Sequence, residues 1–220
     1  MIHTKDLYDL GHTMAADYLA QYEYPWQALK GISALITSLG ARLGEDYTEI
    51  SPEVWVHKTA VVAPTAYLAA PCIIGARTEV RHCAFIRGSA LVGEDCVVGN
   101  SVELKNVILF DRVQVPHFNY VGDSILGYKS HLGAGSVTSN FKSDASLISI
   151  RGGDEKIETG LRKIGALMGD FVEVGCNSVL NPGTVVGKNT TIYPTSCVRG
   201  VVPGWSIWKN GGVLVKKEER

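Results

Sequence analysis

Val56, Val62, Leu68, Ile74, Val80, Ile86, Val92, Val98, Leu104 and Phe110 place a bulky apolar side chain at every sixth position. The series resumes as Met168, Val174, Leu180, Val186, Ile192 and Val198. Two places before most of these stands a small residue, such as Ala60, Ala66, Cys72, Thr78, Ala84, Ala90 and Cys96. A period of six fits neither an isolated helix nor an ordinary alternating strand. It is the mark of a hexapeptide β-helix, an all-β solenoid in which short parallel strands wind into a prism and neighbouring coils share one core. Three hexads make a coil, so side chains 18 apart should stack.

The pattern divides the chain into parts. Residues 1–50 lack the period and read as a helical hairpin. Asp6 would cap a helix to about Gln21, and Pro25 would open a second one ending near Gly40. The hairpin is expected to cover the open edge of the first coil. Residues 51–200 form the prism, and 201–220 form an extension that leaves through a turn at Pro203, with a disordered tail from Lys216. Within the prism the six-residue step weakens after Pro116, and 138–165 abandons it as a long inserted loop. There Ser146–Arg151 alternates like a strand, Gly152–Gly153 is a turn signal, and Glu155–Glu158 reads as its hairpin partner. A loop of that length in a strict solenoid points to function. Its cations Lys142, Arg151, Lys156, Arg162 and Lys163 are either solvated or in contact with phosphate.

The position after each large apolar residue lies at a corner of the prism, and its occupants sort into three columns. One reads His57, Gly75, Gly93, Asp111; another Ala63, Arg81, Gly99, His117; the third Ala69, Arg87, Lys105. Arg87 and Lys105 should therefore stand about 5 Å apart. Two such cations repel unless both splay into water or an anion such as phosphate sits between them. On this reading, replacing Lys105 with Ala relieves repulsion and leaves stability intact or raised. His117 lies one column over, beside the cations and the loop, which makes it a candidate general base.

Composition narrows the classes. A net charge of −1 offers no global basic field for nucleic acid. No long apolar run or signal h-region is present, so no membrane role is expected and the chain reads as cytoplasmic. Five cysteines without a CxxC argue against a disulfide framework or zinc ribbon. The histidines (His3, His12, His57, His82, His117, His131) lack the spacing that hosts zinc in the γ-class carbonic anhydrases. No P-loop or dinucleotide fingerprint occurs.

The segment GNSVELKNVILFDRVQVPHFNYVGDSILGYKSHLGAGSVTSN, residues 99–140, closely resembles the acetyltransferase domain of the bifunctional UDP-N-acetylglucosamine pyrophosphorylase / glucosamine-1-phosphate N-acetyltransferases. The likeness continues to about Val198. The run Glu158–Ala166, ETGLRKIGA, is similar to related sugar-phosphate nucleotidyltransferases. The resemblance implies a left-handed prism and a homotrimer with sites between subunits. It implies acetyl-CoA as co-substrate and an amino sugar 1-phosphate as substrate. His117 would be the base; Arg87, Lys105 and Tyr120 would hold phosphate; Glu103 and Asn140 would line the sugar pocket; Ala134 and Cys176 would meet the CoA arm. His131 and Phe141 replace an asparagine and a tyrosine of that pattern, Cys176 replaces a serine, and Gly211 falls near an arginine that meets the CoA phosphates. No G-x-G-T-R phosphate loop occurs, so the resemblance is to the prism without its uridyltransferase portion. A separate nucleotidyltransferase is then a candidate partner. The competing expectation is a non-catalytic subunit that binds sugar phosphates or sugar nucleotides.

Overall fold

The computed structural model describes residues 1–218. Apart from the inserted hairpin, the chain from Val54 to Lys209 winds as parallel strands stacked coil on coil, a left-handed parallel β-helix. Its cross-section is a triangle with three faces of stacked strands. Face one begins with Val54–His57, Cys72–Ile74 and Ala90–Val92. Face two carries Val97–Asn100, Gln114–His117 and His131–Leu132. Face three carries Tyr67–Leu68, Phe85–Ile86 and Val137–Thr138. Two long strands, Glu103–Leu109 and Tyr120–Leu126, turn the corner from face three to face one without a break.

The six-residue series supplies the core as expected. Ile74, Ile86, Val92, Val98 and Leu104 are fully buried, and each such side chain contributes roughly 1.5–3 kcal/mol. Where the small position is a hydroxyl, it is satisfied by a carbonyl across the interior, as Thr78 Oγ1 is by Gly93 O at 2.7 Å. The register slips earlier than the sequence suggests. Leu104 pairs with Ile86, 18 residues below it, but Leu109 pairs with Val92 and Val115 with Val98, each 17 below. One residue is lost at the corner near Asn106, so His117 stacks on Asn100 and not on Gly99.

The N-terminal segment does not cap the first coil. That edge is covered by Tyr47–Ser51, antiparallel to Val54–His57. Residues 1–40 instead run along face one, with Ile32–Gly40 packed on its strands. The reason lies in the middle residues of those strands. Ile73, Leu91, Ile108, Ile125, Leu167 and Val185 form one outward column. All are apolar and almost wholly buried. A parallel sheet that is apolar on both sides requires a cover. The first expected helix is broken into Thr4–Leu7, a 3-10 turn at Leu10–His12, and Ala16–Leu19. Leu7 and His12 give their carbonyls to the prism, to Asp170 N at 3.1 Å and Asp111 N at 3.0 Å, and so cannot serve a continuous helix.

The insertion forms the anticipated hairpin, Ile148–Gly152 against Glu155–Leu161. The prism resumes in register above it, with Leu126 beside Met168. At the other end, the prism continues past Pro203 through Ser206–Lys209, and Val213–Lys216 folds back antiparallel to close the edge. Lys216 thus lies in a strand and Lys217 N donates to Trp205 O at 2.7 Å, while 219–220 of the expected tail lie outside the described residues.

Candidate active site

The site forms at the corner where the two long strands bend, a bend made by left-handed residues Asn106 and Asp123 at φ 54° and 47°. Arg87, Lys105 and Gly122 rise there one coil at a time. The stacked cations do not face each other unpaired, which corrects the repulsion argument. Arg87 Nη1 lies 2.6 Å from Glu103 Oε1, and Lys105 Nζ lies 2.9 Å and 3.1 Å from the two oxygens of Asp123. Asp123 is 4% exposed. It also accepts from the amides of Asn106 at 2.9 Å and Asn140 at 2.5 Å. Its four hydrogen bonds tie both long strands to the start of the insertion.

Arg87, Lys105, Tyr120, Asn140, Phe141 and Lys163 line one pocket of about 310 Å³. Of the expected residues, Arg87, Lys105, Tyr120 and Asn140 thus come together, and Glu103 joins them through Arg87. Asn140 donates to the Tyr120 hydroxyl at 3.1 Å. Burial first, then the nearby carboxylates of Asp123 and Glu103, push the Tyr120 phenol above its ordinary range, so it remains a neutral hydroxyl. Gly122 makes this meeting possible. A Cβ there would lie 2.4 Å from the Tyr120 hydroxyl and 2.9 Å from the Asn140 amide.

Lys163 arrives from the far end of the insertion. Phe141 and Lys163 form an antiparallel bridge, and Ile164 N donates to Asn140 O at 3.1 Å, so the two ends of the loop close over the pocket. Among the described residues Lys163 makes no ion pair. Of the other loop cations, Lys142 donates to the Leu147 carbonyl, Lys156 pairs with Glu158 and Arg162 donates to the Ala145 carbonyl. The pocket therefore holds three cations against two carboxylates, and the unmatched charge is that of Lys163.

His117 is exposed and lies on the next edge of the prism, outside this pocket. Its carbonyl accepts from Gly135 N at 3.0 Å, and the Ala134 carbonyl accepts from Asn177 N at 2.8 Å. His117, Ala134 and Cys176 thus ascend one edge together, apart from the phosphate-side group within one chain. The buried Asn119 amide fixes the intervening turn by donating to Gly133 O and Ser136 O. His131 does not join either group. It pairs with Glu173 at 2.9 Å on face two, in a separate cleft of about 510 Å³. No group of metal-ligating side chains is present among the described residues.

Asp123 and Gly122 were not anticipated as site residues, and Lys163 stood only as one of five loop cations between solvent and phosphate. Asp123 carried a signal, since a strict 18-residue coil places it above Lys105; the shortened coil puts Gly122 in the column and Asp123 at the corner itself.

Residues 68–166 match the family described as GMPPB C-terminal domain. The bifunctional protein GlmU of Methanococcus maripaludis strain C5 is 30% identical over 201 residues, covering 89% of this chain and 48% of that protein. A bifunctional sugar-1-phosphate nucleotidylyltransferase/acetyltransferase of Sulfurisphaera tokodaii is 28% identical over 178 residues, covering 79% of this chain and 44% of the relative. The chain spans about half the length of these relatives. Among solved structures, a hexapeptide transferase family protein from Anaplasma phagocytophilum aligns with a TM-score of 0.43 at 13% identity, over 76% of this chain and 81% of its own. The chain is a left-handed β-helix protein whose prism is similar in sequence to the GMPPB C-terminal domain and to about half the length of the GlmU proteins.

Proposed function

We propose that the protein is a CoA-dependent N-acetyltransferase acting on an amino sugar 1-phosphate, working as a homotrimer with each site shared between neighbouring copies. One observation carries this reading: Arg87, Lys105 and Lys163 converge with the Tyr120 hydroxyl and the Asn140 amide in one pocket. A phosphate dianion fits the three cations and the Tyr120 hydroxyl, while the Asn140 amide, whose two hydrogens go to Tyr120 and Asp123, holds that hydroxyl in place. Glu103 and Asp123 hold Arg87 and Lys105 in place, and Lys163 supplies the charge they leave unanswered. Asn140 and Glu103 orient the sugar hydroxyls. The likeness to the bifunctional sugar-1-phosphate nucleotidylyltransferase/acetyltransferase of Sulfurisphaera tokodaii supports acetyl transfer as the chemistry.

Acetyl-CoA is the co-substrate that supplies the acetyl carbon and a thiolate leaving group. The edge rising from His117 past Gly133-Ala134-Gly135 to Cys176 presents small side chains, which suits an extended thioester arm. His117 accepts the proton that the sugar nitrogen loses as the new C–N bond forms and the C–S bond breaks. It passes that proton to the departing sulfur. Because His117 lies outside the phosphate pocket of its own chain, it serves the pocket of a neighbour. The test is a mass-spectrometric screen of amino sugar 1-phosphates with acetyl-CoA and the purified chain. An acetylated product is expected, whereas sugar-phosphate binding without acetyl-CoA binding would establish a non-catalytic binding subunit instead.

A further inference from the structure

The corner column that carries Arg87 and Lys105 does not end at the phosphate pocket. Above Gly122 it continues through Ser139, Asn181 and Arg199, one coil each. Four coil spacings separate Lys105 from Arg199, about 19 Å at about 4.8 Å per coil. The upper half is a second pocket of about 480 Å³ that shares Phe141 with the first. Ser139 and Asn181 line it with neutral donors and acceptors, and Lys142 and Arg199 bring two cations.

Neither cation has a carboxylate partner among the described residues. Lys142 Nζ donates to Leu147 O at 2.8 Å and Ser146 Oγ at 3.3 Å, and Arg199 Nη2 to Asn181 Oδ1 at 3.3 Å. The one carboxylate of the pocket, Asp144, accepts from Ser146 N at 3.0 Å and so belongs to the turn of the insertion. Phe141 stands between the two pockets with 43% of its surface open. The groove thus has cations at both ends, hydrogen-bonding side chains between them and an exposed aromatic ring at its waist. A hexose with one phosphate covers about two coil spacings, or about 10 Å, and leaves the upper half empty.

Resting on the acetyltransferase reading above, and extending its sugar 1-phosphate by a nucleotide, we infer that the full acceptor is a nucleoside-diphosphate ester of the amino sugar. The sugar-proximal phosphate meets Arg87, Lys105 and Lys163. The second phosphate, joined to the first through one oxygen, lies at the waist within reach of Lys142, and the nucleoside fills the upper half, where Asn181 and Arg199 hold the base.

The test compares UDP-, GDP- and dTDP-linked amino sugars with the matching sugar 1-phosphates as acetyl acceptors for the full chain. At least one nucleotide ester should show a kcat/KM ten or more times that of its 1-phosphate. Arg199→Gln should raise the KM of that ester about tenfold more than the KM of the 1-phosphate or of acetyl-CoA. A 1-phosphate used as well as every ester overturns the inference while leaving the acetyltransferase reading intact. So does an Arg199→Gln effect confined to the KM of acetyl-CoA. If wild type acetylates neither class, the acetyltransferase reading fails, and calorimetric binding of the same compounds decides the inference: tighter binding of an ester than of its 1-phosphate supports it, and equal binding overturns it.

Discussion

Replacing Lys105 with Ala tests how the site is built, because the outcome depends on whether the lysine opposes a cation or serves a buried acid. The Asp123 side chain is 5% exposed and that of Lys105 is 28% exposed. Removing one partner of a buried ion pair typically costs about 3–5 kcal/mol, because the other charge is stranded. Here the cost is discounted. Water reaches the position of the lysine, and Asp123 keeps the amides of Asn106 and Asn140. The expected loss is about 2 kcal/mol, or about 4–8 °C in Tm for a chain of this size. Asp123→Asn alone should cost less, since the lysine it leaves unpaired reaches solvent. The double variant should recover part of the loss, a coupling of about 1 kcal/mol in a double-mutant cycle. Urea unfolding at neutral pH, with a thermal melt alongside, measures all four proteins. A Tm for Lys105→Ala equal to or above wild type would restore the repulsion picture, and strictly additive losses would show that the two side chains do not support each other.

Gly122→Ala should reduce sugar-phosphate affinity at least tenfold, because its Cβ would displace the Tyr120 hydroxyl and the Asn140 amide; unchanged affinity by calorimetry would show that the pocket does not use them. Burial pushes the Cys72 and Cys96 thiols up to about 12, so a thiol reagent at pH 8 should label Cys83, Cys176 and Cys197 in the native protein and reach all five only after denaturation, counted by mass. Asp111 has its carboxyl raised by burial and by Glu94 and Asp95. A raised folded-state pKa means a penalty absent below the unfolded value and fully present above the folded one. Asp111→Asn should therefore raise the unfolding midpoint slightly at pH 7 and not at pH 3, and a loss at pH 7 would contradict this.

The inward ladder was readable in the sequence because its period is set by coil geometry alone. The covered face was readable too, in a signal of a different kind. CII, ALV and VIL recur at one place in three successive coils, followed by SIL and then ALM, and apolar residues in a row on a short strand mean burial on both sides. That pattern, and not a need to cap the first coil, explains where the N-terminal segment lies. The corner at Asn106 was harder to see. Dropping one residue leaves the apolar spacing almost unchanged, yet it shifts every later corner side chain by one place. Arg87 and Lys105 lie below the slip and were placed correctly, whereas His117 lies above it and lands on Asn100. Lys163 could not be singled out among the loop cations, since the bridge from Phe141 to Lys163 closes 22 positions of chain with no periodic guide.

Single-turnover acetyl transfer from acetyl-CoA to an amino sugar phosphate, followed by mass, tests the central claim most directly when wild type is run beside His117→Ala. The rate should be lower by about 10²–10⁴ in the variant, with sugar-phosphate affinity nearly unchanged and the ascending limb of the wild-type pH–rate profile lost. Equal rates in the two proteins would contradict the assignment of His117, and no transfer in either would contradict the acetyltransferase itself.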